Sequence, residues 1–214
     1  MPPDLVIHGF PESVYLRAVL MTCEEKGLGY RTGWDLDFEG PEHLALHPFG
    51  KVPILQQGDF RLFETNAICR YLDEAFDGPA LQPADVRDRA KMNQWISVID
   101  AYVYPRVVTQ LVGPRRAWLD QDQFVDPALF LETLPLIDRV CDALDDRLGR
   151  SLWLSGAELG LADLLLAPMM FYFSETPEGQ HRLLPFSHLG NWFTLMRQRP
   201  SFRRHNYLMP AAPG

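Results

Sequence analysis

The chain has 214 residues, 47% of them hydrophobic and 22% charged, a composition typical of a globular protein with one large domain or two small ones. Its formal net charge of −8 argues against nucleic acid as the main partner, because phosphate binding requires a basic surface. No apolar run approaches the roughly 20 residues of a membrane-spanning helix, so we do not expect membrane insertion.

The cysteine and histidine residues indicate which cellular compartment and which metal cofactors the sequence is compatible with. Three widely spaced cysteines (Cys23, Cys69 and Cys141) suit a reducing cytoplasm better than a disulfide framework. The first ten residues, MPPDLVIHGF, lack the basic and apolar segments of a secretory signal, which also favours a cytoplasmic location. The six histidines show no zinc-type spacing, so no metal cofactor is predicted.

The amino-terminal part alternates strand and helix signals. Residues 5–8 predict a first strand, and apolar positions at helical spacing predict a helix over 12–25 that closes at Gly27. Residues 30–36 predict a second strand, and a short helical segment follows at 41–46.

The stretch PFGKVPILQQGDFRLFETNAICRYL predicts a β-hairpin that leads into a helix over 66–76. The two short strands VPIL and FRLF flank a turn-forming QGD sequence. The resulting order β-α-β-α-β-β-α is that of a thioredoxin-like domain, which we place at residues 1–78.

The hairpin offers groups that suit an extended peptide. Pro53 opens the third strand, where a cis Val52-Pro53 bond would turn the backbone of Val52 toward a ligand that pairs as an extra strand. Glu64-Thr65 stands at a helix N-terminus, whose N–H groups and positive potential favour a carboxylate, while Glu64 suits an ammonium group. Together these groups fit one end of a γ-glutamyl peptide. The alternative is a purely structural hairpin with Thr65 as an N-cap.

Ser13 lies in GFPESVYLRAVL, at the turn between the first strand and the first helix. Its hydroxyl and the neighbouring N–H groups could donate to an anion. Such a hydrogen bond stabilises a thiolate over a thiol and lowers the thiol pKa. The alternative is that Ser13 is only a helix cap.

The remainder of the chain is helical by pattern. We predict that residues 79–84 are a linker and that residues 85–214 form an all-helical domain. Periodicity over 85–118 predicts a long helix that bends at Tyr104-Pro105, because an internal proline loses one backbone hydrogen bond. The alternative is that this helix ends early, at residues 113–116. A second helix is predicted over 127–148, and LSGAELGLADLLLAPMMFYF predicts a third.

These motifs together resemble the glutathione S-transferase family. GKVPIL followed by LFETNAICRYL is similar to the glutathione-site signature, and G-x-P-x-S-x-x-x-R resembles the serine-type theta and phi classes. LGLADLLLAPMMF and NWFTLMRQRPSF resemble the core helix and the last helix of the second domain, so the resemblance spans most of the chain. It implies a homodimeric enzyme that uses glutathione as co-substrate and conjugates its thiolate to a small apolar electrophile.

The resemblance also implies individual roles. Ser13 would stabilise the thiolate. The residues that would hold glutathione are Lys51, Val52, Pro53, Glu64 and Thr65. The helical domain should supply the electrophile pocket, for which the candidates are Tyr102, Tyr104, Arg106 and Tyr172. Aromatic residues at helical spacing are also typical of a core, and that alternative stays open.

The chain departs from the family pattern at two places. The His-Lys pair that precedes the S-P-E-H-L stretch in the theta and phi classes is missing from DFEGPEHL, so we expect modest affinity for glutathione. Lys51 could supply the missing charge, and His47 is a weaker candidate. The cap of the core helix is Gly160 instead of Ser or Thr, but Asp163 can still reach back to the cap N–H in a structural role.

Two other functions remain open on the same fold, since fold does not fix reaction. One is a different glutathione-dependent reaction, such as that of an isomerase, a dehalogenase, an ether-cleaving enzyme or a peroxidase. The other is a non-catalytic binding or regulatory protein.

Overall fold

The computed structural model describes residues 4–33, 37, 40–119 and 126–207, which divide into two compact units. The first unit comprises the described residues up to Gln82 together with residues 200–207. The second unit runs from Pro83 to Arg199. The division between the units lies after Gln82, and the last described segment of the chain belongs with the first unit.

The first unit is built around a four-stranded mixed sheet. Its strands are β1 (Leu5–His8), β2 (Arg31–Gly33), β3 (Ile54–Gln57) and β4 (Phe60–Phe63), in the order β2-β1-β3-β4. Strand β1 runs parallel to β2 and antiparallel to β3, and β4 returns antiparallel to β3 after a two-residue turn. Its first three helices are α1 (Val14–Lys26), α2 (Pro41–Leu46) and α3 (Thr65–Ala75). This arrangement confirms the predicted thioredoxin-like order. The last part of the predicted second strand, 34–36, lies outside the described residues.

The second unit is helical throughout its described part. Its helices are α4 (Val86–Val98), a π-helix (Ile99–Val112), α5 (Gly113–Leu119), a 3-10 turn (Pro127–Phe130), α6 (Leu134–Leu148), α7 (Leu161–Ser174), α8 (Pro177–Arg182) and α9 (Ser187–Gln198). Helix α7 is buried along nearly its whole length and packs against α4, the π-helix, α8 and α9, as expected for a helix that is apolar on every side. The all-helical character predicted for the second domain is confirmed.

The structure adds detail to one helix prediction in this unit and corrects another. The segment predicted as one long helix over 85–118 winds as a π-helix over Ile99–Val112, and this π-helix includes Pro105. A proline interrupts the α-helical hydrogen-bond ladder, and the wider winding is a known way to absorb such a defect. The helix over 127–148 is divided, because Pro135 lacks an N–H and marks the first turn of α6.

The N-cap of α7 has the arrangement that the sequence predicts, with one additional hydrogen bond from outside the helix. The buried Asp163 carboxylate accepts hydrogen bonds from the N–H groups of Leu154 (2.7 Å), Ser155 (3.1 Å) and Gly160 (3.1 Å), and from the indole N–H of Trp192 (2.8 Å). The hydroxyl that Gly160 lacks is replaced from the preceding loop, since Ser155 Oγ accepts the Ala162 N–H at 3.2 Å. Asp163 is therefore a structural residue.

The last helix, α10 (Pro200–His205), packs against α1 of the first unit. Arg204 forms an ion pair with Glu24 at 2.8 Å, and the buried Asn206 donates to Met21 Sδ at 3.2 Å. None of the helices that the structure describes combines the length and apolarity needed to cross a membrane.

Candidate active site

Three segments of the first unit lie at one end of the sheet. His8, at the end of β1, is opposite Ile54 at the start of β3, and Ile54 is opposite Phe63 at the end of β4. The turn after β1, the residues before β3 and the residues after β4 therefore lie at the same end. These segments carry Ser13, Val52-Pro53 and Glu64-Thr65, so the strand register places the predicted site residues together.

Ser13 is the N-cap of α1. Its half-buried side chain accepts a hydrogen bond from the Leu16 N–H at 3.2 Å, as the capping alternative anticipates. A hydroxyl has one donor and two acceptor positions, so capping leaves the O–H free to donate. The two roles of Ser13 are therefore compatible, and the helix N-terminus adds positive potential at this point.

Arg17 lies one helical turn after Ser13 and is not among the site residues that the sequence predicts. Its side chain is only 1% exposed. Arg17 Nε donates to the Pro11 carbonyl at 2.7 Å, and Nη2 donates to the Tyr207 carbonyl at 2.9 Å. The guanidinium group therefore holds the backbone two residues before Ser13. The S-x-x-x-R spacing is the signal that could have identified it, because residues four apart share one helix face.

Val52 precedes the central strand β3. The Val52-Pro53 peptide bond is cis, as the sequence suggested. Among the hydrogen bonds of the described residues, none uses the backbone N–H or C=O of Val52. Both groups are therefore available to a ligand that pairs as an extended strand.

Glu64 has an unusual backbone conformation, with φ 71° and ψ 116°. It is the only residue other than glycine with positive φ in the part of the chain that the structure describes. Such a conformation costs about 1–3 kcal/mol and is found preferentially at ligand sites. Glu64 is exposed and is the N-cap of α3, while Thr65 is its first residue and is 6% exposed. The alternative in which Thr65 serves as the N-cap is therefore wrong.

Lys51 and His47 differ as sources of positive charge. Lys51 is exposed and forms no hydrogen bond or ion pair with any residue that the structure describes. His47 is 2% exposed, its Nδ1 accepts the Phe49 N–H at 3.3 Å, and its ring lies 4.7 Å from that of Phe63. Burial lowers the pKa of His47, which favours the neutral ring. This arrangement favours Lys51 as a partner for a carboxylate. Part of the stretch that lacks the His-Lys pair, residues 38–39, lies outside the described residues.

The protein's own thiols are not placed for nucleophilic chemistry. All three cysteines are buried and free. Burial raises the pKa of Cys69 and of Cys141 to about 12, and it raises the pKa of Cys23 as well. A thiol with such a pKa carries little thiolate at neutral pH. Within the described ranges no group of three or more His, Cys, Asp or Glu side chains could hold a metal ion.

The four electrophile candidates all lie in the second unit, in different environments. Tyr102 is 58% exposed, and Tyr104 and Arg106 are half-buried on the π-helix. Tyr172, on α7, is 3% exposed, and the centre of its ring lies 4.7 Å from the Cζ atom of Arg116. Tyr172 therefore has the environment of a core residue, whereas Tyr102 presents most of its ring to solvent.

Comparison with known families matches both parts of the chain. Residues 7–80 match the model of the glutathione S-transferase N-terminal domain. Residues 114–205 match the model of the glutathione S-transferase C-terminal domain.

Individual relatives match over almost the whole length. Glutathione S-transferase F12 of Arabidopsis thaliana is 31% identical over 196 residues, which cover 87% of this chain and 89% of the relative. The theta class glutathione S-transferase of the citrus canker pathogen Xanthomonas axonopodis pv. citri, solved with glutathione bound, aligns with a TM-score of 0.80 and 27% identity over 97% of this chain and 99% of its own. Maize glutathione S-transferase I, solved with an atrazine glutathione conjugate, aligns with a TM-score of 0.81 and 26% identity over 95% and 96% of the two chains.

Proposed function

Because this chain belongs to the glutathione S-transferase family, we propose that it conjugates the glutathione thiolate to a small apolar electrophile and that Ser13 stabilises the thiolate. Glutathione is the co-substrate. The roles of individual residues, the electrophile, the cytoplasmic location and the homodimeric state are parts of the proposal.

Glutathione binding follows from the groups at the end of the sheet. The cysteinyl backbone of the tripeptide pairs with the N–H and C=O of Val52 and packs beside Pro53, as an added strand does. The γ-glutamyl carboxylate is bound at the N-terminus of α3 by Thr65, and its ammonium group is bound by Glu64. Lys51 binds the glycine carboxylate. With a single exposed lysine there, the affinity is modest, since such a contact contributes about 0.2–1 kcal/mol.

This orientation brings the sulfur to the turn that carries Ser13. The Ser13 hydroxyl donates to the thiolate, and the positive end of α1 favours the same charge. Both effects lower the thiol pKa, so more of the nucleophile is present at neutral pH.

The chemical step needs no further group from the first unit. The thiol proton leaves to solvent, and the thiolate electron pair forms a bond to the electrophilic carbon. In a substitution, the bond from that carbon to the leaving group breaks, and the leaving group departs with its electron pair. Holding the two reactants together supplies much of the acceleration. Tyr102, Tyr104, Arg106 and Tyr172 stay candidates for the electrophile pocket.

The observation that supports this proposal best is the strand register. At the end of the sheet that this register defines lie the helix-capping Ser13, the strained Glu64 and the Val52 backbone, which pairs with no residue that the structure describes. A hairpin with only a structural role requires neither the positive φ of Glu64 nor the free backbone of Val52.

The proposal is tested by comparing glutathione with S-methylglutathione, which lacks the thiol. We expect calorimetry to show binding of both and a chlorodinitrobenzene assay to show turnover with glutathione alone. Binding without turnover on a panel of electrophiles would favour a different glutathione-dependent reaction or a binding role. Absence of binding of both compounds would contradict the proposal.

The homodimer is tested separately. Phe60 on β4 is 44% exposed and is a candidate anchor, whereas Phe63 packs against His47. We expect sedimentation equilibrium to give twice the chain mass and Phe60→Ser to weaken the association. A monomer with full activity would contradict this part of the proposal.

A further inference from the structure

The carboxyl-terminal segment 200–207 returns to the first unit and packs along α1. Its contacts cover most of the length of this helix. Arg204 pairs with Glu24 near the C-terminal end of α1, and Asn206 reaches Met21 in its middle. Tyr207 reaches Arg17 in the first turn.

Arg17 joins this segment to the turn that carries Ser13. Its planar guanidinium donates from Nε to the Pro11 carbonyl and from Nη2 to the Tyr207 carbonyl, and it lies 5.5 Å from the centre of the Tyr207 ring. Its own backbone N–H donates to the Ser13 carbonyl at 3.0 Å. Arg17 thus contacts the chain on both sides of the Ser13 side chain.

The turn itself has one further closing bond, from the Ser13 N–H to the Phe10 carbonyl at 3.0 Å. Pro11 cannot donate a hydrogen bond, so its carbonyl is the only backbone polar group with which this residue can be held. A buried arginine that donates a hydrogen bond to this carbonyl restricts the position of the turn. Because the guanidinium group is planar and rigid, it also fixes the direction of its second hydrogen bond, to the Tyr207 carbonyl.

We propose that Arg17 is a positioning residue for Ser13, and that the carboxyl-terminal segment completes the site by supplying the Tyr207 carbonyl. This inference rests on the proposed function, because it concerns how Ser13 is held for its hydrogen bond to the thiolate. It assigns the last described residues of the chain a role at the site, although Arg17 and Tyr207 are separated by 190 positions.

Lysine is the informative substitution at position 17. It keeps the charge and most of the length, but one ammonium group cannot reproduce the two fixed donor directions of a guanidinium. The Ser13 turn should then be held less well, and small displacements of a catalytic group have large effects on rate. For Arg17→Lys we expect the pKa of the bound glutathione thiol to rise by about half a unit to one unit, and kcat/KM at pH 6.5 to fall about three- to tenfold.

A pair of truncations tests the contribution of the Tyr207 carbonyl. A chain that ends at Leu208 keeps the Tyr207 peptide carbonyl, whereas a chain that ends at Asn206 loses this acceptor of Arg17 Nη2. We expect a raised thiol pKa only in the shorter chain. Arg204→Gln is the matched control for docking of the segment, because Arg204 holds the same segment to α1 without contacting the Ser13 turn.

The readout is the ultraviolet absorbance of the bound thiolate as a function of pH, measured with Ser13→Ala alongside and with thermal melting of each variant. The inference is supported if Arg17→Lys and the chain ending at Asn206 raise the thiol pKa while Arg204→Gln does not. It is overturned if those two variants leave the thiol pKa unchanged while Ser13→Ala raises it, a result that leaves the proposed function intact. An unchanged thiol pKa in Ser13→Ala overturns both. If Arg17→Lys does not fold, the truncation pair gives the same decision.

Discussion

Replacing Ser13 with alanine removes one hydroxyl that has two separable roles in this structure. The side-chain oxygen caps α1 through the Leu16 N–H, and the hydroxyl proton is free for the glutathione sulfur in the proposed complex. Loss of the cap acts on folding, whereas loss of the donor acts on the thiol. The two effects can be measured independently on the same protein.

The magnitudes follow from the two hydrogen bonds. Loss of an N-cap costs about 1 kcal/mol, which lowers the melting temperature of a chain of this size by about 2–4 °C. A hydrogen bond to a charged group is worth about 1.5–3 kcal/mol, and one pKa unit corresponds to 1.36 kcal/mol, so the bound thiol pKa should rise by about 1–2 units. Below that pKa the thiolate fraction, and with it kcat/KM, should fall about 10- to 100-fold.

The assay combines pH titration of the bound thiolate with the pH profile of kcat/KM for chlorodinitrobenzene. Two variants separate the roles. Ser13→Gly keeps most of the capping stability but lacks the hydroxyl, so we expect the full change in the thiol pKa with little change in melting temperature. Asp85→Ala removes the N-cap of α4, whose carboxylate accepts hydrogen bonds from the backbone N–H groups of Arg87 and Asp88. We therefore expect lower stability with an unchanged thiol pKa.

The reasoning would be refuted if Ser13→Ala had the wild-type thiol pKa and pH profile. A lower melting temperature alone would show that Ser13 is only a cap. Ser13→Thr supplies the conservative control, because threonine retains both the acceptor and the donor and should restore much of the thiolate stabilisation.

Further predictions concern charge, stability and pH. Lys51→Ala should weaken glutathione binding about 1.5- to 5-fold, while Lys91→Ala on α4 should not; equal affinity for both variants in calorimetry would remove Lys51 from the site. Asp163→Ala leaves buried donors without an acceptor and should cost at least about 3 kcal/mol of unfolding free energy, with normal turnover per folded molecule; normal stability with lost turnover would argue against the structural role. Burial lowers the pKa of His8 and His47 below 6.5, so the stability that they contribute is present above pH 6.5 and is lost as the pH falls through their folded pKa values; equal unfolding free energies at pH 7.5 and pH 5.5 would contradict this.

The first unit was predictable because its signals are local. The hairpin is encoded by two strand-forming runs around Gly58-Asp59, and the register that follows from its short turn places Pro53 and Glu64 near each other. Ser13 was identifiable for the same reason, since a serine between a strand and a helical pattern is a typical N-cap.

The features that escaped prediction depend on distant parts of the chain or on how a local defect is resolved. In the sequence Arg17 is an ordinary helical arginine, because its partner Tyr207 is 190 positions away. Pro105 signals a lost hydrogen bond, but nothing in the sequence indicates that the helix around it adopts the wider π winding. Ser155 supplies the hydroxyl that Gly160 lacks at the cap of α7. Because Ser155 lies in the preceding loop, no motif within α7 predicts this contact.

The most direct test of the central claim is a crystal structure of this protein with glutathione. We expect the cysteinyl backbone to pair with the N–H and C=O of Val52, the γ-glutamyl group to lie at Glu64-Thr65, and the sulfur to accept a hydrogen bond from Ser13 Oγ. Glutathione bound elsewhere on the protein, or bound at this end of the sheet with its sulfur beyond the reach of Ser13, would contradict the account.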